Sequence, residues 1–399
     1  MPYYYLKSRE SQEALRNYKY SGSDESYIYK YVLSPLAAYL VDTIIPSTMA
    51  PNTVTMIGFS FMILTYMLSI IYCPTYDTEA PSWLYIFFGV SILFYQTLDN
   101  MDGKQARKTG TSSAMGLLFD HGCDAINVAF GVHIVASAFL CDSNLLLSLI
   151  FLAPSLPFFI GTWEQYFTHY LLLPEINGPT EGLIGLACIC FVSGVAGPSF
   201  WKLTTFYDAL VKVAPVIGTY IPSCENRLLM MGLTTSASIR EVFGKLVYVS
   251  RKFGASTLFS TLPYWSFFVS TFVIVTHKPD LFESNHGMFV NLCSAIFFDM
   301  TAQIMFDHIT SQTYSGFRWI ILPLMYLAYA CKFNTMEDSQ LYTFMVAYCS
   351  SLTTFLLLKS AIIINEIGSC LKIWCFDITT PYDDEGSVSP VVNGSKKIN

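Results

Sequence analysis

Apolar stretches long enough to cross a lipid bilayer recur along most of the 399-residue chain. A bilayer core about 30 Å thick requires roughly 20 predominantly apolar residues in a helix. We predict ten such spans, at residues 53–72, 82–98, 115–140, 144–163, 182–197, 227–249, 256–276, 287–306, 316–333 and 342–364. The pattern at 227–249 is the weakest, because Arg240, Glu241 and Lys245 interrupt it. The sequence therefore predicts an all-α, polytopic integral membrane protein.

The segment before the first span has a different pattern. Residues 1–30 are polar and aromatic, without the apolar core of a signal peptide. Between Tyr31 and Ile45 the apolar residues fall on one helical stripe, formed by Val32, Leu33, Leu36, Tyr39, Leu40 and Ile44. This segment is too short to span a bilayer, so we expect an N-terminal amphipathic helix that lies along the membrane surface. A helix packed against the protein is the alternative.

Composition supports a membrane protein and excludes other classes. Hydrophobic residues make up 53% of the chain and charged residues 13%, whereas soluble domains carry about 25% charged residues. The net charge of −7 provides no basic excess for a nucleic-acid backbone. We therefore expect membrane lipids as partners and no nucleic acid.

The few charged residues concentrate between positions 99 and 124. Asp99 and Asp102 are three residues apart, and Asp120 and Asp124 are four apart, so each pair lies on one helix face. Two helices joined by a short polar loop can direct all four carboxylates at one volume. Four like charges there would require divalent cations. Oxygen ligands favour Mg²⁺ or Mn²⁺, and two ions with shared carboxylates suit phosphoryl chemistry.

Other residues of this segment fit a phosphate ligand. Gly103 and Gly116 remove side chains where a helix must approach a ligand or a neighbouring helix. Arg107 offers a planar guanidinium to a phosphate, and Lys104 and Lys108 add positive charge to the loop. Helix-end carboxylates that face water are the alternative interpretation of the aspartates.

This segment resembles the signature of the CDP-alcohol phosphotransferase family, D-x-x-D-G-x-x-A-R-x₈-G-x-x-x-D-x-x-x-D. Eight residues match it at fixed spacing: Asp99, Asp102, Gly103, Ala106, Arg107, Gly116, Asp120 and Asp124. Roughly residues 12–378 resemble the eukaryotic branch, the choline and ethanolamine phosphotransferases. The stretches concerned are NYKYSGSD (17–24), MAPNTVTMIGF (49–59), FYQTLDNMDGKQARKT (94–109), LFDHGCDA (118–125), TWEQYFTHYLLLP (162–174) and NGPTEGL (177–183).

The resemblance implies a fold, a reaction and a metal site. Members of the family span the membrane several times, usually with ten helices, and transfer a phospho-alcohol from a CDP-alcohol to a lipid hydroxyl, releasing CMP. In the eukaryotic branch the acceptor is diacylglycerol and the product is phosphatidylcholine or phosphatidylethanolamine. By similarity, two Mg²⁺ ions, or Mn²⁺, would bind the CDP diphosphate through Asp99, Asp102, Asp120 and Asp124.

The same resemblance implies substrate contacts. Arg107 would contact the phosphates, Asn52 would contact the nucleotide, and Gly103 and Gly116 would lie against the substrate. For Asn52, the N-cap of a helix is an equally good interpretation of the sequence.

His121 resembles the proton acceptor of the eukaryotic relatives. Imidazole has an ordinary pKa of ~6.5, which suits a general base near neutral pH, whereas a metal-bound carboxylate is a poor base. Asp124 is the alternative base, and orienting Asp120 is the alternative role of His121. The expected mechanism is a direct in-line attack by the lipid hydroxyl on the phosphorus that bears the head group.

Polar residues elsewhere have two interpretations each. Glu164, His169 and Glu181 lie at span ends, where they either help to bind the head group and orient His121 or face water. Those within or beside later apolar windows should pair or line the cavity: Asp299, Asp307, His308 and Lys359.

The chain also departs from the family pattern. Gln303 stands where relatives often have Arg, and Asn365-Glu366 where they have His-Glu. These differences concern substrate preference and leave the predicted metal site intact.

The leading hypothesis is a Mg²⁺-dependent CDP-choline or CDP-ethanolamine:diacylglycerol phosphotransferase of the endoplasmic reticulum membrane, or of the Golgi. One alternative is another CDP-alcohol phosphotransferase, such as a phosphatidylinositol-type synthase. A second is a cation transporter that uses the carboxylates for conduction, although conduction favours acidic residues deep in several helices.

Four parts of the chain are expected. Residues 1–48 form the N-terminal segment with the interfacial helix, and residues 49–200 form the catalytic membrane core. Residues 201–378 supply C-terminal transmembrane helices that line a lipid cavity and offer a homodimer contact. Residues 379–399 are polar and are expected to be a disordered tail.

Overall fold

The computed structural model describes residues 3–283 and 285–382, and this part of the chain is helical almost throughout. The α-helices, in chain order, are α1 (Arg9–Asn17), α2 (Ser34–Thr43), α3 (Pro51–Tyr72), α4 (Ser82–Thr109), α5 (Ala114–Ala138), α6 (Asn144–Thr168), α7 (Leu183–Ala196), α8 (Thr205–Val213), α9 (Ile217–Tyr220), α10 (Asn226–Phe253), α11 (Leu262–His277), α12 (Pro279–Glu283), α13 (His286–Ile309), α14 (Leu322–Phe333) and α15 (Asp338–Leu371). There are also two three-residue strands, β1 (Gly22–Asp24) and β2 (Leu171–Leu173). Short π-helical segments lie at Tyr29–Leu33 and Gly178–Gly182, and short 3-10 segments at Pro198–Lys202, Ala255–Thr261 and Trp319–Ile321.

Six helical segments of the described residues are long and apolar enough to cross a membrane. They are α3, α6, α13, α15 and the continuous segments Gly178–Ala196 and Ala255–His277. Every one of the ten predicted windows overlaps a helix, but those on α4, α5, α10 and α14 do not meet the same limits of length, hydropathy and charge. The all-α polytopic class is confirmed, and the count of ten spans stays a prediction.

Helix α13 is the most enclosed of these segments. In its most apolar window 67% of the residues are buried, against 28% in α15. Ile296 and Phe297 of α13 pack in the largest core cluster with residues of α5 and α6. On the outside, Leu357 and Leu358 of α15 are 69% and 62% exposed. Such an apolar outer surface suits contact with lipid.

Helix α2 confirms the short helix predicted before the first span. Ala37 and Val41 pack with Val54, Leu98 and Met101 in a small core cluster. Apolar side chains elsewhere on this segment are exposed: Leu36 and Tyr39 of α2, Val32 just before it and Ile44 just after it. This exposed stripe favours a position along the membrane surface over the alternative of a fully packed helix.

The N-terminal segment is joined to the end of α6. Strand β1 pairs in parallel with β2, which follows α6, with Gly22 opposite Leu171. Burial raises the pKa of the Asp24 carboxyl, although Ser26, Thr180 and Asn177 donate hydrogen bonds to it. These contacts fix residues 22–26 beside the start of the Gly178–Ala196 segment.

The expected disordered tail lies mostly outside the described residues, which end at Tyr382. Thr379, Thr380 and Pro381 are exposed, whereas Tyr382 contacts the preceding segment. The Tyr382 ring lies 4.6 Å from that of Trp374, and the Tyr382 hydroxyl is 2.9 Å from the Ser369 hydroxyl.

Candidate functional site

Four aspartates from two consecutive helices meet at one place. Asp99 and Asp102 lie toward the end of α4, and Asp120 and Asp124 lie toward the beginning of α5. Carboxylate oxygens of Asp99, Asp102 and Asp120 lie within 4.8 Å of one another, and so do ligand atoms of Asp120, His121 and Asp124. Asp120 therefore belongs to both groups, and the structure has the convergence that the residue spacing predicts.

The cluster offers free oxygen ligands to a cation. Asp99 Oδ1 and Asp120 Oδ1 are buried and have no hydrogen-bond partner among residues 3–283 and 285–382. Buried carboxylates without compensation are costly, and oxygen ligands suit hard divalent cations. The residues present therefore fit a divalent metal centre, and the alternative of water-facing helix ends does not explain the two buried oxygens.

Two hydroxyl groups hold the cluster, and the sequence pattern alone does not single them out. The Thr55 hydroxyl of α3 donates to Asp102 Oδ2. The Tyr95 hydroxyl of α4 donates to Asp124 Oδ1 over 2.7 Å. Both side chains are buried. The available signal is spacing, because Tyr95 precedes Asp99 by one helical turn.

His121 lies beside the cluster. Its Nδ1 is 3.9 Å from Asp120 Oδ2, which is too long for a hydrogen bond. The same nitrogen is buried and has no hydrogen-bond partner within the described part of the chain. This geometry gives no support to the alternative in which His121 orients Asp120. It leaves a ring nitrogen available either to accept a proton or to bind the cation.

Gly103 and Arg107 lie together on the last turns of α4. A Cβ atom on Gly103 would be 3.6 Å from Arg107 Nη1, so the glycine leaves the guanidinium uncovered. Arg107 is exposed, and an arginine in this position is accessible to a phosphate.

Asn52 and Gly116 form the opposite side of the site. A Cβ atom on Gly116 would lie 3.6 Å from Asn52 Oδ1. Asn52 is buried in the first turn of α3, whose N-cap is Ala50, so the N-cap interpretation of Asn52 is wrong. The Asn52 amide donates to the Cys375 carbonyl over 3.0 Å, which brings the C-terminal segment to the site.

We predicted a polar loop between the two aspartate pairs, and this prediction is wrong for residues 103–109, which are helical. Helix α4 continues to Thr109, and Gly110 ends it with a φ of +68°. Lys104 donates to the Ser34 hydroxyl over 2.8 Å, and Lys108 donates to the Val41 carbonyl over 2.7 Å. These lysines therefore attach α2 to α4, whereas Arg107 is exposed between them.

The acidic residues at the later span ends are engaged elsewhere. Glu164 Oε2 accepts from Lys245 Nζ over 2.7 Å. Glu181 accepts from the Ser26 hydroxyl over 2.5 Å and from the Asn177 backbone N–H over 2.9 Å. Neither carboxylate faces water alone, and neither hydrogen-bonds His121 in the structure.

Two further histidines, His169 and His308, lie together near the site. The His169 and His308 rings stack with centroids 5.2 Å apart, and the Tyr18 hydroxyl is 3.2 Å from His308 Nε2. The N-terminal segment thus contacts the end of α13 directly.

The buried charges on α13 and α15 pair, as expected. Asp299 accepts from Lys359 over 2.7 Å and from Arg318. Lys359 also donates to Gln303, which in turn donates to Asp307. Gln303 therefore belongs to a buried network that already contains two cations, which explains how a neutral residue can stand where relatives often have Arg.

Residues 4–6 and the last turns of α15 meet over the start of α5. The Glu366 carboxylate accepts from the backbone N–H groups of Tyr4, Tyr5 and Leu6, with distances of 2.8 and 3.0 Å for the last two. Leu6, Ala114, Met115 and Ile367 pack in one core cluster. Asn365-Glu366, where the chain departs from the family pattern, thus lies in the contact between α15 and residues 4–6 that covers the start of α5.

Comparison with known proteins decides the family. A model of the family described as CDP-alcohol phosphatidyltransferase matches residues 48–193. A Schizosaccharomyces pombe protein described as an uncharacterized CDP-alcohol phosphatidyltransferase class-I family protein is 32% identical over 341 residues, 84% of this chain and 87% of that protein. The chain belongs to the CDP-alcohol phosphatidyltransferase class-I family.

Some relatives of this chain are named for an activity. A protein of Arabidopsis thaliana named choline/ethanolaminephosphotransferase 1 is 43% identical over 188 residues, which cover 47% of this chain and 48% of that protein. The match thus spans about half the length of that relative. A Saccharomyces cerevisiae protein named cholinephosphotransferase 1 is 29% identical over 334 residues, covering 79% of this chain and 82% of that protein. The predicted family is confirmed, and its motif lies inside the matched range.

Proposed function

We propose that the protein transfers phosphocholine or phosphoethanolamine from the CDP-alcohol to the hydroxyl of 1,2-diacylglycerol, giving phosphatidylcholine or phosphatidylethanolamine and CMP. The names of the Arabidopsis and yeast relatives support these substrates. The observation on which the proposal chiefly rests is the carboxylate cluster with Asp120 common to both of its halves.

The cluster suits two divalent cations, Mg²⁺ or Mn²⁺, with Asp120 as the ligand common to both. When bound, such cations neutralise the diphosphate and stabilise charge on the leaving CMP. Asp99 and Asp102 hold one side of the site and Asp124 the other. The Thr55 hydroxyl fixes one oxygen of Asp102, and the Tyr95 hydroxyl fixes one oxygen of Asp124. These carboxylates therefore need not reorient when substrate binds.

The remaining residues have separate roles in the reaction. Arg107 binds a phosphate of the donor. Asn52 contacts the nucleotide after the Cys375 carbonyl moves away. Gly103 and Gly116, which have no side chains, leave room for the substrate. His121 takes the proton of the diacylglycerol hydroxyl as that oxygen attacks the phosphorus bearing the head group. Because each proton and phosphoryl transfer is direct, no covalent enzyme intermediate forms.

The molecular setting fits a soluble donor and a lipid acceptor. The cluster lies at the ends of two helices, where a nucleotide can arrive from water, and the apolar outer surface gives access to lipid. We assign residues 49–200 as the catalytic core and residues 201–378 to the lipid cavity and a homodimer contact. We place the protein in the endoplasmic reticulum membrane, or the Golgi, on the basis of the proposed reaction.

One assay tests the proposal. Purified protein with diacylglycerol, Mg²⁺ and CDP-choline or CDP-ethanolamine should release CMP, and Asp120→Asn should abolish release because both halves of the cluster lose a ligand. The exposed Asp208→Asn is the matched control and should retain activity. Release of CMP only with inositol as acceptor for a CDP-lipid donor would indicate the phosphatidylinositol-type alternative. Cation flux into vesicles without CMP release would indicate the transporter alternative.

A further inference from the structure

The segment that follows α15 passes over the nucleotide side of the candidate site. It leaves the helix at a left-handed C-cap and continues through residues 373–377, which we call the C-terminal strap. Exposure alternates along the strap: Ile373 and Cys375 are half-buried, whereas Trp374 and Phe376 are exposed. The strap is therefore a non-helical piece of chain with one side against the protein.

The strap occupies the side chain that we propose as the nucleotide contact. Asn52 Nδ2 donates to the Cys375 carbonyl over 3.0 Å and to the Cys375 sulfur over 3.4 Å. Asn52 precedes Thr55 by about one helical turn, and the Thr55 hydroxyl donates to Asp102 Oδ2. The Cys375 carbonyl thus holds an amide one turn away from a residue that orients the carboxylate cluster. A nucleotide that uses this amide must compete with the strap.

A second contact attaches the strap beside the carboxylates. The Phe376 ring lies 5.4 Å from the Phe119 ring in an edge-to-face arrangement, and Phe119 directly precedes Asp120 in the chain. Ile373 and Cys375 also pack against the core cluster at the start of α5. The strap therefore contacts α3 and α5, the two helices that border the nucleotide side of the site.

The contacts that hold the strap to the site are few enough for a ligand to replace. Phe376 remains 49% exposed and Trp374 39% exposed. The Trp374 ring lies 4.6 Å from the Tyr382 ring, and its Nε1 donates to the Pro381 carbonyl over 3.4 Å, so these contacts hold Trp374 to the chain that follows the strap. The hydrogen bond of Asn52 is exchanged for another when a nucleotide binds, and such an exchange changes the free energy little. Displacing the strap therefore chiefly removes the aromatic contact.

We propose that the C-terminal strap closes the nucleotide side of the donor site and is displaced when the CDP-alcohol binds, the nucleotide replacing the Cys375 carbonyl at the Asn52 amide. A site that must open before it binds has an apparent affinity lowered by the fraction of open molecules. The strap therefore sets the affinity for the donor and takes no part in the chemistry. This inference rests on the proposed function and deepens it, because it concerns the regulation of the same site.

Weakening the strap should strengthen donor binding. In full-length protein with Mg²⁺ and diacylglycerol, Phe376→Ala should lower KM for CDP-choline and CDP-ethanolamine about two- to tenfold, the usual contribution of one aromatic contact, and should change kcat less than about twofold. Trp374→Ala is the matched control, because it removes a comparably exposed ring of the same strap that contacts Tyr382. It should leave both constants unchanged. An unchanged or raised KM in Phe376→Ala would overturn the proposal.

Displacement itself can be measured at the Cys375 thiol. Burial raises the pKa of this thiol, although the hydrogen bond from Asn52 opposes the rise, and a scarce thiolate reacts slowly. With CDP-choline and Mg²⁺ but no diacylglycerol, N-ethylmaleimide should modify Cys375 several-fold faster than without nucleotide, as read by mass spectrometry of the tryptic peptide that begins at Ile373. Cys370, which is buried in α15, is the internal control and should not change. Protection of Cys375 by nucleotide, or an unchanged rate, would contradict displacement.

The strap and the proposed function can fail separately. A wild type that releases CMP, while the labelling rate of Cys375 and the KM of Phe376→Ala do not change, would retain the proposed function and lose the strap. A wild type that releases CMP from neither donor would overturn the proposed function, and with it the assignment of the strap to a CDP-alcohol.

Discussion

Thr55 and Tyr95 show how single residues prepare the carboxylates for a cation. Each hydroxyl donates to one oxygen of a neighbouring aspartate, Asp102 or Asp124, and so fixes the rotation of the carboxylate. Asp99 and Asp120, in contrast, each keep a buried oxygen that has no hydrogen-bond partner among residues 3–283 and 285–382. The site therefore combines two oriented ligands with two that depend on the cation for compensation.

His121→Ala should separate catalysis from binding. We expect turnover to fall by roughly 100-fold or more, the usual contribution of a general base, while affinity for the CDP-alcohol stays within a few-fold. CMP release measures the first, and the rise in melting temperature with added CDP-choline measures the second. The exposed His277→Ala is the control and should leave both unchanged. Loss of binding together with turnover would reassign His121 to the metal site.

Residue spacing predicts the aspartates but not the residues around them. Asp99, Asp102, Asp120 and Asp124 are visible in the sequence because helical periodicity places each pair on one face. Thr55 acts through the packing of α3 against α4, which no local pattern encodes.

At the scale of elements, the end of α4 differs most from the expectation. A glycine in the left-handed region, Gly110, ends the helix about two turns later than a loop after Asp102 would. Residues 103–109 resemble a loop in the sequence because they are polar, yet polar residues also occur on helices that leave the membrane. The α2 helix supplies partners for Lys104 and Lys108, and these tertiary contacts favour the helical conformation.

The buried ion pairs of Asp299 should stabilise the contact between α13 and α15. Asp299→Asn leaves Lys359 and Arg318 without their carboxylate, and breaking a buried pair costs about 3–5 kcal/mol. We expect a fall of several degrees in the melting temperature of the purified protein. Asp307→Asn is the matched control, since Asp307 accepts from the neutral Gln303 and should cost much less. Equal effects of the two substitutions would show that the ion pairs do not stabilise this contact.

At the scale of the whole molecule, cation binding and stability should be linked. The carboxylate cluster joins α4 to α5, and a ligand that binds only the folded state stabilises it by about 2.7 kcal/mol at a concentration of 100 Kd. Mg²⁺ or Mn²⁺ should therefore raise the melting temperature, and EDTA should reverse the rise. Asp120→Asn should reduce this shift, because Asp120 belongs to both groups of ligands. A shift that is the same with K⁺ at equal ionic strength would indicate general screening instead of a site.

The class of the whole molecule follows from sequence more readily than its assembly. Apolar windows predict helices because their length matches the bilayer, and all ten overlap helices in the structure. The enclosure of α13 by α5 and α6 depends on which faces pack, and near-uniformly apolar helices give little indication of this. The contact between Glu366 and the backbone of residues 4–6 depends on the arrangement of all the helices between them.

The contact of Glu366 with the backbone of residues 4–6 has a consequence for biosynthesis. Glu366 follows the residues whose backbone it binds by 360 to 362 positions, so it leaves the ribosome long after them. The N–H groups of residues 4–6 therefore have no partner carboxylate until Glu366 has been synthesised. Until α15 has been inserted, the start of α5 lacks its cover. Synthesis therefore delivers the finished site only once nearly the whole described chain is in the membrane.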